Sequence, residues 1–210
     1  MKVIIVGNGT SILNNKNEKL IDAHDIVIRL GGYVIKGYEE FAGIKTDIWS
    51  NGVSTIKIWK YFGDNIINRH LWVMIPEDTS TEYEYLKKWK KEKYSDYQFS
   101  QHIHNERLEK LKENNMVECI KDEYLEILLK ELYISKYCTI GHFLRPSLGI
   151  CTIFFALQKY NHVNLIGFDY LRSGWYWDVN HIHTIGKHNS LMEKIWIEKM
   201  NKIKKINIYE

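Results

Sequence analysis

The 210-residue chain is long enough to bury a real core, and its 45% hydrophobic and 26% charged residues are those of an ordinary globular protein. A net charge of +3 fits an anionic ligand or an anionic surface but is too small to demand nucleic acid, and no nucleic-acid partner is expected. No apolar run approaches the ~20 residues of a membrane span, no secretory leader precedes the first strand-like run, and Cys119, Cys138 and Cys151 lack C-x-x-C spacing. The expectation is a cytoplasmic protein with reduced thiols and no zinc site, free to touch the inner face of a membrane peripherally.

Val3 to Val6 is a continuous β-branched run, the pattern of a strand buried on both faces, and Gly7-Asn8-Gly9 stops it. Ile26 to Leu30 reads as a second strand, its turn fixed by His24 and Asp25. Thr46 to Ser50 reads as a third, stopped at Asn51-Gly52. A helical period follows from about Val53 to Phe62. Leu71 to Ile75 is a buried strand closed by Pro76. Thr81 to Tyr94 is a lysine-rich helix whose "LKKWKKEKY" is either a solvated face or a patch for anionic lipid or glycolipid. Glu106 to Asn114 and Asp122 to Tyr133 read as helices. Arg145-Pro146-Ser147 opens a further helix, Leu148 to Tyr160, with proline where a helix start accepts it. Val163 to Ile166 is a strand ending at Gly167-Phe168-Asp169, and a helix over Leu191 to Ile203 leads to a strand at Ile206 to Tyr209. Strands alternating with helices predict one α/β domain over residues 1–210, Rossmann-like, with a mostly parallel twisted sheet and helices on both faces.

Chemistry concentrates in four places. After the first strand, Gly7, Asn8, Gly9, Thr10 and Ser11 offer amides, a side-chain amide and two hydroxyls, which suit a phosphate or a ribose at a strand's carboxyl end. The same stretch serves equally as a plain βα turn. It is neither a dinucleotide fingerprint, since Ile12 stands where a third glycine belongs, nor a Walker loop. Second, Ser147, Leu148 and Gly149 begin a helix, where amides and dipole attract an anion and glycine permits close approach. Third, Trp175, Tyr176 and Trp177 form either a lid over ligand or the edge of the core. Fourth, His181, His183 and His188 fall within eight positions. Ser190 to Glu193 has capping-box spacing, which places His188 just before a helix's positive end and favours a neutral imidazole. No Asp-x-Asp pair is present, so no metal is expected.

Three stretches carry a resemblance beside "GNGTSIL": Ile21 to Gly52, Arg145 to Tyr170, and Trp175 to Ile195. In order, they resemble the large, small, third and very small sialylmotifs of the family 29 sialyltransferases, and the opening is also similar to bacterial family 42. The resemblance implies a metal-independent, inverting transfer of a sugar acid, sialic acid or Kdo, from a CMP-sugar to a hydroxyl of a glycan or glycolipid acceptor. It makes His188, in "HNSLME", the general base and His183, in "HTIG", its rival. It implies donor contacts from the glycine turn, Asn51, the Ser147 helix start, Phe168 and Tyr176, whose hydroxyl would donate to the phosphate. Gly31 stands where family 29 has an asparagine, Trp175 where its third motif begins with histidine, and Val3 and Tyr160 where animal members have paired cysteines. The departures leave a catalytically silent nucleotide-binding protein as the alternative.

Overall fold

The computed structural model describes residues 1–51, 69–74, 108–120, 122–132, 146–170, 172–180, 188 and 190–209. The expected helices at Val53 to Phe62 and Thr81 to Tyr94, the lysine run, His181 and His183 lie outside them. Strands β1 (Val3–Val6), β2 (Ile26–Leu30), β3 (Ile48–Asn51), β4 (His70–Val73), β5 (Met116–Cys119), β6 (Val163–Ile166) and β7 (Ile206–Tyr209) form one sheet. Its order is β5-β4-β3-β2-β1-β6-β7, and every neighbouring pair is parallel. The chain builds outward from β1 to β5, then returns to the other side of β1 for β6 and β7. That reversal opens a crevice above the carboxyl ends of β1 and β6, the place where open parallel sheets bind ligands.

The alternation of side chains along β1 sends Val3 and Ile5 to one face and Ile4 and Val6 to the other, and all four are buried. Val3 and Ile5 join Ile28, Trp72 and Leu165 beneath α4 (Asp122–Glu131), α5 (Leu148–Lys159) and α6 (Ser190–Lys202). Ile4 and Val6 meet Ile12, Ile21 and Ala42, contributed by a 3₁₀ turn at Thr10–Asn14 and short helices α1 (Glu18–Asp22) and α2 (Glu39–Ala42). Residues 108–114 form α3. Helices thus cover both faces. In α5, Ile150 to Ala156 is buried without a break, as a helix enclosed on most sides requires. No helix among the described residues is long and apolar enough to cross a membrane.

Strand β5 is absent from the sequence expectation, because it is a partly exposed edge strand interrupted by a charge. Its Glu118 accepts from His70 Nε2 at 2.7 Å and Trp72 Nε1 at 3.0 Å, and pairs with Lys159. Burial pushes the Glu118 carboxyl up, but those three partners together hold it below its ordinary value. The turn before β2 is fixed as expected. A ring nitrogen of His24 lies 2.8 Å from the Leu20 carbonyl, the other lies 3.0 Å from Asn164 Nδ2, and Asp25 accepts from the Lys2 amide at 2.6 Å.

Candidate functional site

The turn after β1 is closed against the turn after β6. A Cβ on Gly7 would stand 2.3 Å from the Gly167 carbonyl oxygen and 3.1 Å from Phe168 Cδ2. The Gly7 amide donates to Ile166 O at 2.8 Å and the Gly9 amide to Gly167 O at 2.9 Å. Glycine is therefore obligatory where two backbones touch. Gly7→Ala is expected to cost about 3 kcal/mol, read as a lowered urea midpoint at unchanged slope, because a backbone carbonyl cannot yield as a side-chain tip does. An unchanged midpoint would mean the two turns stand further apart.

Asn8 follows β1 at this switch point with half its amide unused. Its Nδ2 donates to Leu30 O at 2.9 Å, while its Oδ1 is buried and has no partner among the described residues. A buried, unmatched acceptor is costly, and a ligand hydroxyl or amine would satisfy it. Thr10 and Ser11 point elsewhere. Asp169 accepts from Thr10 Oγ1 at 3.3 Å and the Ser11 amide at 3.0 Å, and Ser173 Oγ completes its shell. Burial pushes the Asp169 carboxyl up, but the bonds from Ser11, Ser173 and Thr10 outweigh it and hold the group below its ordinary value. Thr10 and Ser11 thus brace a carboxylate, and an anion is better received on the other wall.

That wall is the start of α5. Ser147 is its N-cap, and its hydroxyl accepts from the Ile150 amide at 3.3 Å. The amides of Leu148 and Gly149 have no intrahelical acceptor by construction and stand at the positive end of the helix. A Cβ on Gly149 would lie 3.1 Å from Phe168 Cε1 and 3.7 Å from Leu30 Cδ1. The Phe168 ring therefore touches both the glycine turn and the helix start, which brings two chain-distant pieces to one crevice. Gly31, at φ 54°, sits beside it, and a Cβ there would meet Leu148 at 3.5 Å. Asn51 ends β3 at the same edge and is buried.

Glu193 is the residue whose role the capping-box spacing does not reveal. It is only 6% exposed and turns to the start of α5, accepting from the Ser147 amide at 2.7 Å and the Ser147 hydroxyl at 2.6 Å. Burial pushes its carboxyl up to about 7, against the pull of the two bonds from Ser147. With that value close to neutral pH, the group carries only part of its charge at the start of α5. His188, half-buried, lies two residues ahead of α6 and five ahead of this clasp.

The Tyr176 hydroxyl is engaged by backbone. The residue is 1% exposed, and its hydroxyl donates to the Val34 carbonyl and accepts from the Val34 amide at 3.2 Å. Its own amide donates to Asn8 O at 3.0 Å. Burial pushes its phenol up to about 12, so it stays protonated and serves as a strut between the glycine turn and the loop after β2. Arg29, 0% exposed, secures that loop through Ala42 O at 2.8 Å, Lys45 O at 3.0 Å and Thr46 Oγ1 at 2.9 Å. Asp169 and Arg29 are working residues that sequence reading passes over, and Glu193, expected to close the start of its own helix, clasps Ser147 instead. The available signal was negative: two hydroxyls, a serine amide and a loop each needed a buried partner.

Comparison with known proteins identifies the family and the fold. A family model described as glycosyltransferase family 29 (sialyltransferase) matches residues 2–205. The human alpha-N-acetylgalactosaminide alpha-2,6-sialyltransferase 2 is 42% identical over 57 residues, 27% of this chain and 15% of that protein. The chicken alpha-N-acetylgalactosaminide alpha-2,6-sialyltransferase 1 is 47% identical over 45 residues, 21% of this chain and 8% of that protein. The matched segments are thus a small part of those longer relatives. Among solved structures, a mammalian sialyltransferase superposes with TM-score 0.62 at 14% identity, covering 99% of this chain and 68% of that one. The sialyltransferase CST-II in complex with a trisaccharide acceptor and CMP gives TM-score 0.53 at 16% identity, covering 100% of this chain and 80% of that one. Cst-I of Campylobacter jejuni, described as a monofunctional alpha-2,3-sialyltransferase, gives 0.52 at 18% identity, covering 100% and 75%. At these identities the structural likeness speaks for the fold. With a family match over almost its whole length, the chain belongs to glycosyltransferase family 29, the sialyltransferases.

Proposed function

We propose that the protein transfers a sugar acid, sialic acid first among candidates, from a CMP-sugar to a hydroxyl of an acceptor glycan, with inversion and without a metal. The observation that carries this reading is the crevice bridged by Phe168, with an unmatched Asn8 oxygen on one wall and the Leu148 and Gly149 amides on the other. A nucleoside monophosphate has the complementary parts: ribose hydroxyls for Asn8 and a phosphate for the positive end of α5. In the transfer, the acceptor oxygen attacks the anomeric carbon from the face opposite CMP. The bond from that carbon to the phosphate oxygen breaks, its electron pair leaves with CMP, and the hydroxyl proton passes to a neutral histidine. The helix start stabilises charge that grows on the departing phosphate, so it favours the transition state over the intact donor. His188 is the proposed base and His183 the alternative.

Thermal shift tests the nucleotide. CMP is expected to raise Tm while NAD and ATP leave it unchanged, since a ligand that prefers the native state stabilises it. Stabilisation by NAD and not by CMP would end this reading. Donor turnover with CMP-sialic acid, CMP-Kdo and excess EDTA then decides the sugar and the metal. Activity abolished by EDTA and restored by a divalent cation would refute a metal-free reaction.

A further inference from the structure

The buried clasp between α6 and α5 stands against the wall assigned to the phosphate, yet the transfer as described gives it no task. Both oxygens of Glu193 are committed to one residue: Oε1 accepts from the Ser147 amide at 2.7 Å and Oε2 from the Ser147 hydroxyl at 2.6 Å. That hydroxyl also accepts from the Ile150 amide at 3.3 Å. It borders the crevice, since a Cβ on Gly149 would lie 3.6 Å from Ser147 Oγ and 3.1 Å from Phe168 Cε1. Among the described residues no cation offsets the Glu193 charge. From α5 the titratable group facing it is Cys151, whose thiol is pushed up by burial and by Glu193 and so stays protonated. Lys194, next to it on α6, turns instead to Glu198 at 3.6 Å and to the Tyr170 ring.

A serine hydroxyl has one hydrogen to donate and two lone pairs with which to accept. While Glu193 is ionised, that hydrogen is directed at Oε2, and the carboxylate charge repels a second anion at the same helix start. Once Glu193 holds a proton, the contact reverses. Oε2–H then donates to Ser147 Oγ, the Ile150 amide fills the other lone pair, and the serine hydrogen is released. We infer that Glu193 is a positioning residue that takes a proton from solvent as a phosphate seats at the start of α5, turning the Ser147 hydroxyl hydrogen onto a phosphate oxygen. The proton returns to solvent when the nucleotide leaves, and no bond to carbon or phosphorus changes in this step. This rests on the CMP-sugar reading of the crevice. Burial, which pushes the carboxyl up to about 7, brings the exchange within reach of neutral pH.

Calorimetry of CMP binding by the full chain, from about pH 6.5 to about pH 8, tests it. Glu193→Gln mimics the protonated form, since its carbonyl accepts from the Ser147 amide and its amide donates to the hydroxyl. Relative to that variant, the native chain is expected to lose ~5-fold or more of its CMP affinity across this range. The titration of CMP itself is common to both and cancels in the ratio. Parallel profiles overturn the inference and leave the CMP-sugar reading standing. So does a folded Glu193→Gln chain that binds CMP more weakly than the native chain at every pH. In a Ser147→Ala background the Glu193→Gln change should keep at most half of its effect on the logarithm of affinity, and a larger remainder assigns the effect to charge alone and overturns the hydroxyl step. Infrared difference spectra need no variant: a carboxylic-acid C=O band should grow in the native chain at neutral pH as CMP binds, and its absence overturns the proton uptake. A native chain that binds no CMP at any pH removes the underlying reading, and this inference with it.

Discussion

Replacing His188 by alanine is expected to lower acceptor-dependent CMP release by ~10²-fold or more, with CMP affinity maintained. The side chain stands half-buried just ahead of α6, and five residues further on Glu193 clasps the residue that caps α5. His183→Ala is the paired measurement, and the smaller loss is expected there. Full activity in both variants would end the proposal of a histidine base, and a greater loss in His183→Ala would exchange their roles.

The second large effect is on stability and depends on pH. In the unfolded chain Glu193 titrates near 4.5, while in the folded protein burial pushes it to about 7. Between those values the folded state holds a proton that the unfolded state has released. The resulting stabilisation is complete below about 4.5, declines as pH rises, and is gone above about 7. A shift of this size corresponds to roughly 3 kcal/mol. Glu193→Gln keeps a carbonyl for the Ser147 amide and cannot ionise. Its urea stability relative to the native chain should therefore improve by about that amount between pH 4.5 and pH 8. Every other titrating group is common to both proteins, so the difference isolates this carboxyl. Parallel pH profiles would show that Glu193 is already ionised in the folded state at acid pH.

Strands β1, β2 and β6 were legible within the sequence because their runs are short, largely apolar and rich in β-branched residues, and each is stopped by glycine, while β7 was legible from its alternation of isoleucine with other residues. Helix α5 was legible for the opposite reason: its start carries Pro146 and Ser147, and its apolar run is too long for a strand. Strand β5 was not, since its four residues are interrupted by Glu118, whose partners His70, Trp72 and Lys159 come from elsewhere in the chain. Within the site, the glycine turn and the helix start were identifiable from local chemistry alone. The capping-box spacing of Ser190 and Glu193 pointed to a closure within α6, whereas the carboxylate reaches the other helix. Local spacing shows what a side chain can reach along its own helix, and says nothing of a helix packed beside it.

By itself, then, the order of residues determined a parallel α/β sheet, a serine-capped helix start, and the family motifs, because each follows from propensity and spacing over a few neighbouring positions. Tertiary structure alone decided which donors remained for a ligand. Asp169 took the Thr10 hydroxyl and the Ser11 amide, Val34 took the Tyr176 phenol, and Asn8 was left with a buried oxygen unmatched among the described residues. Those outcomes depend on groups 22 to 159 positions apart meeting in the fold, as Asn8 meets Leu30 and Thr10 meets Asp169. The demand that every buried polar group find a partner is settled only when distant segments have packed.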